Sequence, residues 1–268
     1  MIKIITGHSD GGGSTIAHIN LTNLLNANGY DCILYGRDEW HLDKCKSGLL
    51  TDVQIYDDDI VIIHFLPIPQ RPRCKKFILS LHEKQLYPIK HMNYKAFDKI
   101  HYIRESQRKW HDLDHPYFEC MYVQNTLVTN KKTCKGKVAG IIGSIDPNKQ
   151  IHLSIERALK KKFKKIKLFG KIIIEDYYKS MIVPLIENHP DIIEPPTYIE
   201  DKQAMYDQIT DVFHTSKSEV CPYIQGECII TKTRFHGNQQ TEEKYTVMTD
   251  NEILKVWVKE LELEKENK

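Results

Sequence analysis

Two glutamates stand with seven residues between them in the stretch "SKSEVCPYIQGE", residues 216–227. The stretch is turn-like and follows the apolar run "DVFHTS" at 211–216, which is typical of a buried strand. The loop after such a strand would carry Glu219 to a ligand, and Glu227 would lie at the start of the next helix. Carboxylates accept charge-assisted hydrogen bonds from paired hydroxyls, so two of them can hold two hydroxyl-bearing groups at once. For Glu227 the alternative is structural, because the helix dipole favours a carboxylate near a helix N-terminus.

A run of three glycines, Gly11, Gly12 and Gly13, separates a predicted strand at 2–6 from a predicted helix at 14–28. Such a loop lets backbone N–H groups approach an anion, and the following helix N-terminus contributes roughly half a positive charge there. The other interpretation is a flexible turn that binds nothing. The spacing does not match G-x-G-x-x-G, which disfavours a dinucleotide cofactor.

The stretch "GSIDPNK", residues 143–149, brings a lysine to the end of a predicted strand, where a helix begins. From this position the Lys149 ammonium would reach a diphosphate. The alternative is a solvated lysine at the helix start, which is the common case for lysines on a protein surface.

Histidines stand at the ends of two neighbouring predicted strands. His82 lies in "SLHE" and His64 at the end of the preceding strand. Ligands of parallel α/β sheets bind at the carboxyl ends of strands, so we predict His82 as an active-site residue, with His64 as its close competitor. His111 and His115 in "HDLDH" have metal-ligand spacing if helical, but Pro116 and the aspartates favour a surface turn, so we predict no metal site.

Strand and helix patterns alternate along the chain, and the alternation occurs twice. The predicted strands are 2–6, 30–36, 58–65, 75–83 and 99–106, then 137–143, 165–170 and 211–216, with helices at 14–28, 150–163, 175–188 and 250–263. This order predicts an α/β protein with two Rossmann-like lobes and a cleft between them. We assign residues 1–134 to an N-terminal lobe, 135–249 to a C-terminal lobe and 250–268 to a C-terminal helix, with the polar segment 129–136 as a hinge.

The composition is that of an ordinary globular protein. The 268 residues carry a formal net charge of +2, with 28% charged and 41% hydrophobic residues, which argues against long disordered regions. No apolar run approaches the length of a membrane span, and the N-terminus enters a strand-like run without a signal-peptide pattern. The odd number of cysteines, seven, includes no C-x-x-C pair and suits reduced thiols. We therefore expect a cytoplasmic protein.

Four local matches in the right order make the sequence resemble one enzyme family. They are the Gly11–Gly13 loop opening the first helix, "SLHE" at 80–83, "GSIDPNKQ" at 143–150, and the spacing of Glu219 and Glu227. Together they cover most of the chain, and they resemble the GT-B glycosyltransferases, specifically the retaining group with a Glu-x7-Glu motif.

The resemblance implies a function for each of these residues. It implies an N-terminal acceptor-side lobe, a C-terminal donor lobe, and transfer of a hexose or pentose from a nucleotide-diphosphate sugar to an acceptor hydroxyl with retention. Glu219 would contact the hydroxyls of the donor sugar, Glu227 the ribose, and Lys149 the diphosphate beside the amides of the glycine loop, Gly12 and Gly13. His82 would meet the sugar from the other lobe. The resemblance implies neither a metal nor a cofactor, so catalysis would rest on positive potential and orientation.

The chain departs from the family pattern at two places. Ser144 stands where the family usually has an arginine that shares the phosphate charge. Either Lys149 with backbone amides suffices, or another cation such as Lys232 or Arg234 replaces the arginine, or the donor binds weakly. After Glu227 the family continues with small residues and a glycine, whereas this chain has the bulky run "CIITKTRFHG" and reaches glycine only at Gly237.

The sequence leaves several alternatives open for the acceptor and for the class of function. The acceptor would be a glycan, a lipid or a modified DNA base, since the basic runs at 131–137 and 160–167 would suit anionic partners, although such runs are usually solvated faces. One alternative function is a nucleotide-sugar epimerase on the same fold. The other is a non-catalytic protein that binds nucleic acid.

Overall fold

The apolar runs of the sequence become the strands of two separate parallel sheets, one in each of two units. In the computed structural model, the first unit comprises Met1–Gln124 with Val247–Lys268, and the second comprises Asn125–Thr246. The structure describes residues 1–8, 12–68, 70–84, 93–124, 128–129, 134, 136–237 and 247–263. The predicted hinge at 129–136 lies largely outside these described residues.

The first unit is built on a seven-stranded sheet in which every pair of neighbours is parallel. In spatial order its strands are β3 (Ser47–Leu49), β2 (Cys32–Gly36), β1 (Ile2–Thr6), β4 (Ile60–His64), β5 (Lys76–Leu81), β6 (Lys99–Tyr102) and β7 (Tyr117–Glu119). The three central strands, β1, β4 and β5, are buried at every position, as expected for a parallel sheet covered on both faces. Even Lys3 on β1 is buried, because its ammonium pairs with Asp59 at 2.5 Å.

Helices from separate parts of the chain pack in this unit. They are α1 (Gly13–Ala27), α2 (Glu105–His111) and α8 (Asp250–Glu260), with short 3-10 turns at Glu39–His41, Leu50–Asp52 and Tyr94–Ala96. Thr249 and Glu252 form a capping box that starts α8, and Ile253 and Trp257 then enter the same core as Leu25 of α1. The C-terminal helix therefore completes the first unit, although more than a hundred residues separate it from that sheet in sequence.

The second unit contains a four-stranded parallel sheet. In spatial order its strands are β11 (Arg234–His236), β10 (Asp211–Phe213), β8 (Val138–Ile142) and β9 (Lys165–Phe169). Its helices are α3 (Ile151–Lys160), α4 (Glu175–Tyr177), α5 (Val183–Asn188), α6 (Lys202–Tyr206) and α7 (Tyr223–Ile230), with a π-helical turn at Tyr178–Ile182 between α4 and α5. The π turn lies just before Pro184, which has no N–H to donate and so disturbs the regular helical pattern.

The predicted α/β class with parallel sheets is confirmed, and the elements differ from the predictions mainly at their edges. The strand predicted at 99–106 is wrong in its second half, because the strand ends at Tyr102 and α2 begins at Glu105. The sequence analysis missed β3, β7 and β11, each of which is three residues long. So short a strand at a sheet edge has no recognisable alternation. Among the described residues, no helix combines the length and the apolar character needed to cross a membrane.

Two glycines allow the loops that follow β8 and β9 to approach each other closely. A Cβ on Gly170 would lie 1.9 Å from the carbonyl oxygen of Gly143, which is backbone and has no flexible end to move. Gly143 itself has φ of +142°, a conformation that side chains rarely adopt. The pair therefore fixes the turn from which the loop carrying Lys149 departs.

We predict that Gly170→Ala destabilises the protein by about 1–3 kcal/mol, because the added methyl group forces the two loops apart. The measurement is the urea midpoint of unfolding, followed by circular dichroism. Gly136→Ala is the control, since a Cβ there meets nothing within 4 Å and only the strain of a φ of +96° opposes it. A Gly170→Ala variant no less stable than the control would contradict the steric role.

Candidate active site

Glu219 lies in a small charged cluster in the second unit. One of its carboxylate oxygens is in hydrogen-bonding contact with the Lys149 ammonium and lies 3.4 Å from Nε2 of His214. His214 directly follows β10, and Lys149 lies in the loop after β8, so both side chains come from the carboxyl ends of neighbouring strands. Lys149 and Glu219, which the sequence analysis assigned to a diphosphate and a sugar, thus contact each other, and their ligand-binding roles stay predictions; the contact with His214 was not anticipated.

Backbone and hydroxyl contacts tie together the two loops that carry this pair. The Lys217 N–H donates to the carbonyl of Asn148 at 2.8 Å, and the Thr215 hydroxyl donates to the carbonyl of Gln150 at 2.9 Å. The Thr215 hydroxyl also meets the Ser154 hydroxyl on α3 at 2.8 Å. The loop bearing Glu219 is therefore bound to the turn bearing Lys149 before any ligand is considered.

An aspartate organises the turn that presents Lys149. Oδ1 of Asp146 accepts hydrogen bonds from the backbone N–H groups of Asn148 at 2.8 Å and Lys149 at 3.0 Å. The Ser144 hydroxyl donates to the other oxygen of the same carboxylate. Ser144, which stands where the resembled family has an arginine, thus supports the turn.

The charge of Glu219 is strongly stabilised. Burial alone would raise the pKa of this carboxyl, but the contacts with His214 and Lys149 outweigh burial and lower the pKa to about 2. At neutral pH the cluster therefore holds a carboxylate against an ammonium. Only 14% of the Glu219 side chain and 27% of the Lys149 side chain are exposed, so this pair is less screened than a surface ion pair.

Glu227 lies deeper, within α7. The expectation that it begins the helix is wrong, because Pro222 is the N-cap, α7 starts at Tyr223 and Glu227 falls in the second turn. Its side chain is buried and accepts a 2.8 Å hydrogen bond from the Tyr206 hydroxyl, and the Lys202 ammonium lies 3.8 Å from its other oxygen. Burial, followed by the neighbouring carboxylate, raises the pKa of Tyr206 well above its usual value, so the phenol stays protonated and donates.

The cations proposed to replace the missing arginine lie elsewhere. Arg234 opens β11, and its guanidinium contacts Asp211, which opens β10, at 3.3 Å. These amino ends are opposite to the edge from which His214 and Lys149 emerge, and Lys232 precedes Arg234 on the same side. A cation that does lie beside one of the two glutamates is Lys202, whose ammonium is 3.8 Å from the Glu227 carboxylate. Lys202 and Tyr206 belong to α6, a short helix that the sequence analysis did not predict.

The glycine run opens α1 as predicted. Gly12 is the N-cap, Gly13 is the first helical residue, and the Ile16 N–H donates to the carbonyl of Gly12 at 3.1 Å. Gly11 lies outside the described residues. The anion-binding role of Gly12 and Gly13 stays a prediction.

In the first unit, His82 belongs to a group of three imidazoles. The ring centroids of His18, His64 and His82 lie 4.6–4.7 Å from one another in all three pairs. His64 ends β4, His82 directly follows β5, and His18 projects from α1. Burial, followed by the neighbouring histidines, lowers the pKa of both His18 and His82 well below the usual value, so these two rings are neutral at pH 7.

Glu83 anchors this histidine group. One of its oxygens contacts Nε2 of His64 at 2.8 Å, and the other accepts the backbone N–H of His82 at 3.1 Å. Nδ1 of His64 meets the Thr6 hydroxyl at 2.9 Å, so both ring nitrogens of His64 have protein partners. Burial would raise the pKa of Glu83, but His64 and the His82 N–H lower it overall, which keeps this carboxylate ionised.

Two groups of histidines contain residue types that can bind a metal ion. One nitrogen from each of His18, His64 and His82 lies within 4.8 Å of the others, but a metal ion would have to displace Thr6 or Glu83 from His64. His111 and His115, the pair weighed from the sequence, contact separate backbone carbonyls at 3.2 Å and 2.7 Å and do not converge on one point.

Comparisons with known proteins identify the fold. No family model matches the chain, and no curated protein matches its sequence. Among solved structures, TarM matches with a TM-score of 0.70 at 12% identity, covering 98% of this chain and 91% of TarM. Anabaena HepE in complex with UDP and glucose matches with a TM-score of 0.63 at 11% identity, over 90% of this chain and 81% of HepE. An alpha-glucosyltransferase in complex with UDP and a 13-mer DNA matches with a TM-score of 0.64 at 13% identity, over 99% of this chain and 90% of that chain.

These structural neighbours are glycosyltransferases of the GT-B class, and at such low identity the likeness demonstrates a shared fold. The predicted α/β fold of the GT-B class, with Rossmann-like lobes, is confirmed at this level. The retaining Glu-x7-Glu assignment stays a prediction.

We predict that Glu219→Gln lowers the free energy of unfolding by about 1–3 kcal/mol at pH 7, because it leaves Lys149 without its ionic partner. The folded-state pKa of Glu219 is about 2, against an ordinary value of 4.5, so the contribution is fully present above pH 4.5. As the pH falls toward 2 it is lost, and the wild type and the variant should converge. Urea unfolding at pH 7, 4 and 3 measures this difference.

The control for this prediction is Glu175→Gln, which removes an exposed carboxylate 3.5 Å from Lys179 on a helix surface. A surface pair of this kind contributes about 0.2–1 kcal/mol. A Glu219→Gln effect that stayed constant from pH 7 to pH 3 would show that the Lys149 contact does not stabilise the carboxylate.

Proposed function

We propose that the protein is a glycosyltransferase that moves a hexose or pentose from a nucleotide-diphosphate sugar to an acceptor hydroxyl with retention at the anomeric carbon. The observation that carries the proposal is the cluster of Lys149, Glu219 and His214, which lies at the carboxyl ends of parallel strands. Ligands of open α/β sheets bind at such an edge. The fold shared with glycosyltransferases solved in complex with UDP supports the same conclusion.

The ion pair offers a matched exchange of partners to a sugar diphosphate. A diphosphate oxygen competes with the Glu219 carboxylate for the Lys149 ammonium, while the hydroxyls of a sugar replace the ammonium as donors to Glu219. Lys149 thus exchanges a carboxylate for a phosphate, and Glu219 exchanges an ammonium for hydroxyl groups. Neither charge is left without a polar partner, which limits the desolvation cost of the exchange. Because the pair alone has no net charge, the remaining positive potential has to come from other groups, such as the N–H groups at helix starts.

Glu227 is proposed to hold the nucleoside. The Tyr206 hydroxyl donates to one of its oxygens at 2.8 Å, and the Lys202 ammonium lies 3.8 Å from the other. The Tyr206 contact also fixes the direction of the carboxylate, which favours a rigid hydroxyl pair over a flexible one.

The proposed reaction needs neither a carboxylate nucleophile nor a metal. The bond from the anomeric carbon to the phosphate oxygen breaks, and the acceptor oxygen bonds to the same face of that carbon. The acceptor proton passes to the departing phosphate. Glu219 and Glu227 therefore bind and orient, unlike the acid and base pair of a glycosidase.

Assays with glycan, lipid and modified-DNA acceptors identify the acceptor class. The basic run at 160–167 gives limited support to direct binding of nucleic acid, because Lys165 and Lys167 both pair with Glu194, at 2.8 Å and 3.4 Å. A non-catalytic nucleic-acid-binding protein would bind oligonucleotides with a steep dependence on salt and would not respond to nucleoside diphosphates.

We predict that UDP or another nucleoside diphosphate raises the melting temperature, and that Lys149→Met and Glu227→Gln each weaken its binding about 10-fold or more. Lys149→Met removes the charge that meets the phosphates, and Glu227→Gln removes the carboxylate charge and replaces one of the two acceptor oxygens with an NH2 donor. Isothermal titration of a nucleoside diphosphate panel measures the affinities. Hydrolysis of the matching sugar nucleotides then tests activity, and product analysis separates transfer from epimerisation.

The matched controls are Lys179→Met and Glu175→Gln, which alter exposed charges on the α4–π segment of the same unit. Both should bind nucleotide as the wild type does. No stabilisation by any nucleoside diphosphate, or unchanged affinity in both site variants, would overturn the proposal.

A further inference from the structure

A chain of three hydrogen bonds leads from a backbone carbonyl to the ring of His82. Nε2 of His101 contacts the carbonyl oxygen of Cys120 at 2.7 Å, Nδ1 of His101 meets the Ser80 hydroxyl at 2.8 Å, and the same hydroxyl meets Nε2 of His82 at 3.1 Å. Ser80 on β5 and His101 on β6 are direct neighbours in the parallel register, and both are buried. The proposed function uses neither residue.

The chemistry of its members gives this chain a single direction. A carbonyl oxygen can only accept, so Nε2 of His101 must carry the hydrogen. Burial lowers the pKa of His101 to about 4, so at pH 7 the ring is neutral and its Nδ1 is an unprotonated acceptor. The Ser80 hydroxyl must therefore donate its hydrogen to His101.

That donation decides what His82 does. Ser80 has one hydrogen, already given to His101, so its oxygen accepts from His82 and Nε2 of His82 carries the hydrogen. Since the His82 ring is neutral, its Nδ1 keeps a free lone pair. No described residue donates a hydrogen bond to this Nδ1, while the Glu83 carboxylate holds the backbone N–H of the same residue.

Aromatic packing holds the far end of the chain in place. The His101 ring lies 4.7 Å from the Trp257 ring and 5.1 Å from the Phe118 ring, measured between centroids. Trp257 belongs to α8, so the C-terminal helix restricts the rotation of the ring that directs Ser80. A rigid second layer of this kind is what orients a functional imidazole in other proteins.

We propose that Ser80 and His101 are positioning residues that hold His82 as the Nε2–H tautomer, so that its Nδ1 is presented as the hydrogen-bond acceptor for a substrate hydroxyl. The identity of the ligand, a hydroxyl of the donor sugar, rests on the proposed function. The tautomer itself does not, because it follows from the contacts within the first unit.

The deciding experiment is a long-range proton–nitrogen correlation spectrum of the full chain labelled with 15N-histidine, recorded at pH 7. The signal of His82 is assigned by its absence in His82→Gln. The proposal expects the neutral Nε2–H form for both His82 and His101 in the wild type. A neutral Nδ1–H form or an imidazolium at His82 would overturn the proposal, and this result requires no folding of a variant other than the one used for assignment.

Ser80→Ala tests the chain of hydrogen bonds from Cys120 to His82, which is called the relay below. Without the hydroxyl, His82 should become a mixture of tautomers, and turnover of the sugar nucleotide should fall about 10-fold to 100-fold in kcat, with little change in the affinity for nucleoside diphosphate alone. The controls are Ser47→Ala on β3 and His115→Gln, which lies outside the relay, and both should leave the His82 signal unchanged. An unchanged tautomer in Ser80→Ala would remove Ser80 from the mechanism.

The two proposals fail in different ways. If no nucleoside diphosphate binds and no sugar nucleotide turns over, the proposed function falls while the tautomer of His82 is still measured. If binding and turnover are present and His82 is not the Nε2–H form, the relay falls and the transferase function stands.

Discussion

Parallel strand pairing is the constraint on which both functional clusters depend. In a parallel sheet all strands end at the same edge, so side chains that follow different strands meet there although they are far apart in sequence. In the first unit this edge gathers Thr6 and His64, which end β1 and β4, and His82, which follows β5. In the second unit it gathers Lys149 and His214 after β8 and β10, with Glu219 in the loop that follows. The chemistry of each cluster therefore depends on the order of the strands in the sheet and on which residue type stands at the carboxyl end of each strand.

The two clusters reduce the free-energy cost of burying polar groups in different ways. In the first unit three imidazoles give up their charge, because burial and repulsion from neighbouring histidines lower the pKa values of His18 and His82, and burial lowers the pKa of His101. The second unit keeps its charges and pairs them, so the pKa of Glu219 falls despite burial. A neutral ring with a directed lone pair suits the recognition of a hydroxyl, while an ion pair suits an ionic ligand that can exchange with one partner.

The sequence predicted the central elements and missed the marginal ones. Long apolar runs such as 2–6 and 60–64 have enough buried positions to be recognised as strands, and they are strands. The three-residue edge strands and the five-residue helix α6 carry too few residues for any periodicity to stand out. The failure to predict α6 from the sequence mattered for the site, because this helix brings Lys202 and Tyr206 to Glu227.

By itself, the sequence determined the α/β class, the location of the central strands and the nearby residues that can do chemistry, since these depend on local apolar patterns and residue types. Only the tertiary structure decided which of those residues touch. It paired Glu219 with Lys149 and His214, placed Arg234 at the opposite end of its sheet, and linked His82 to Cys120 through Ser80 and His101. The physical reason is that pairing depends on strand order and register, which arise from packing between segments distant in sequence and leave no local signal.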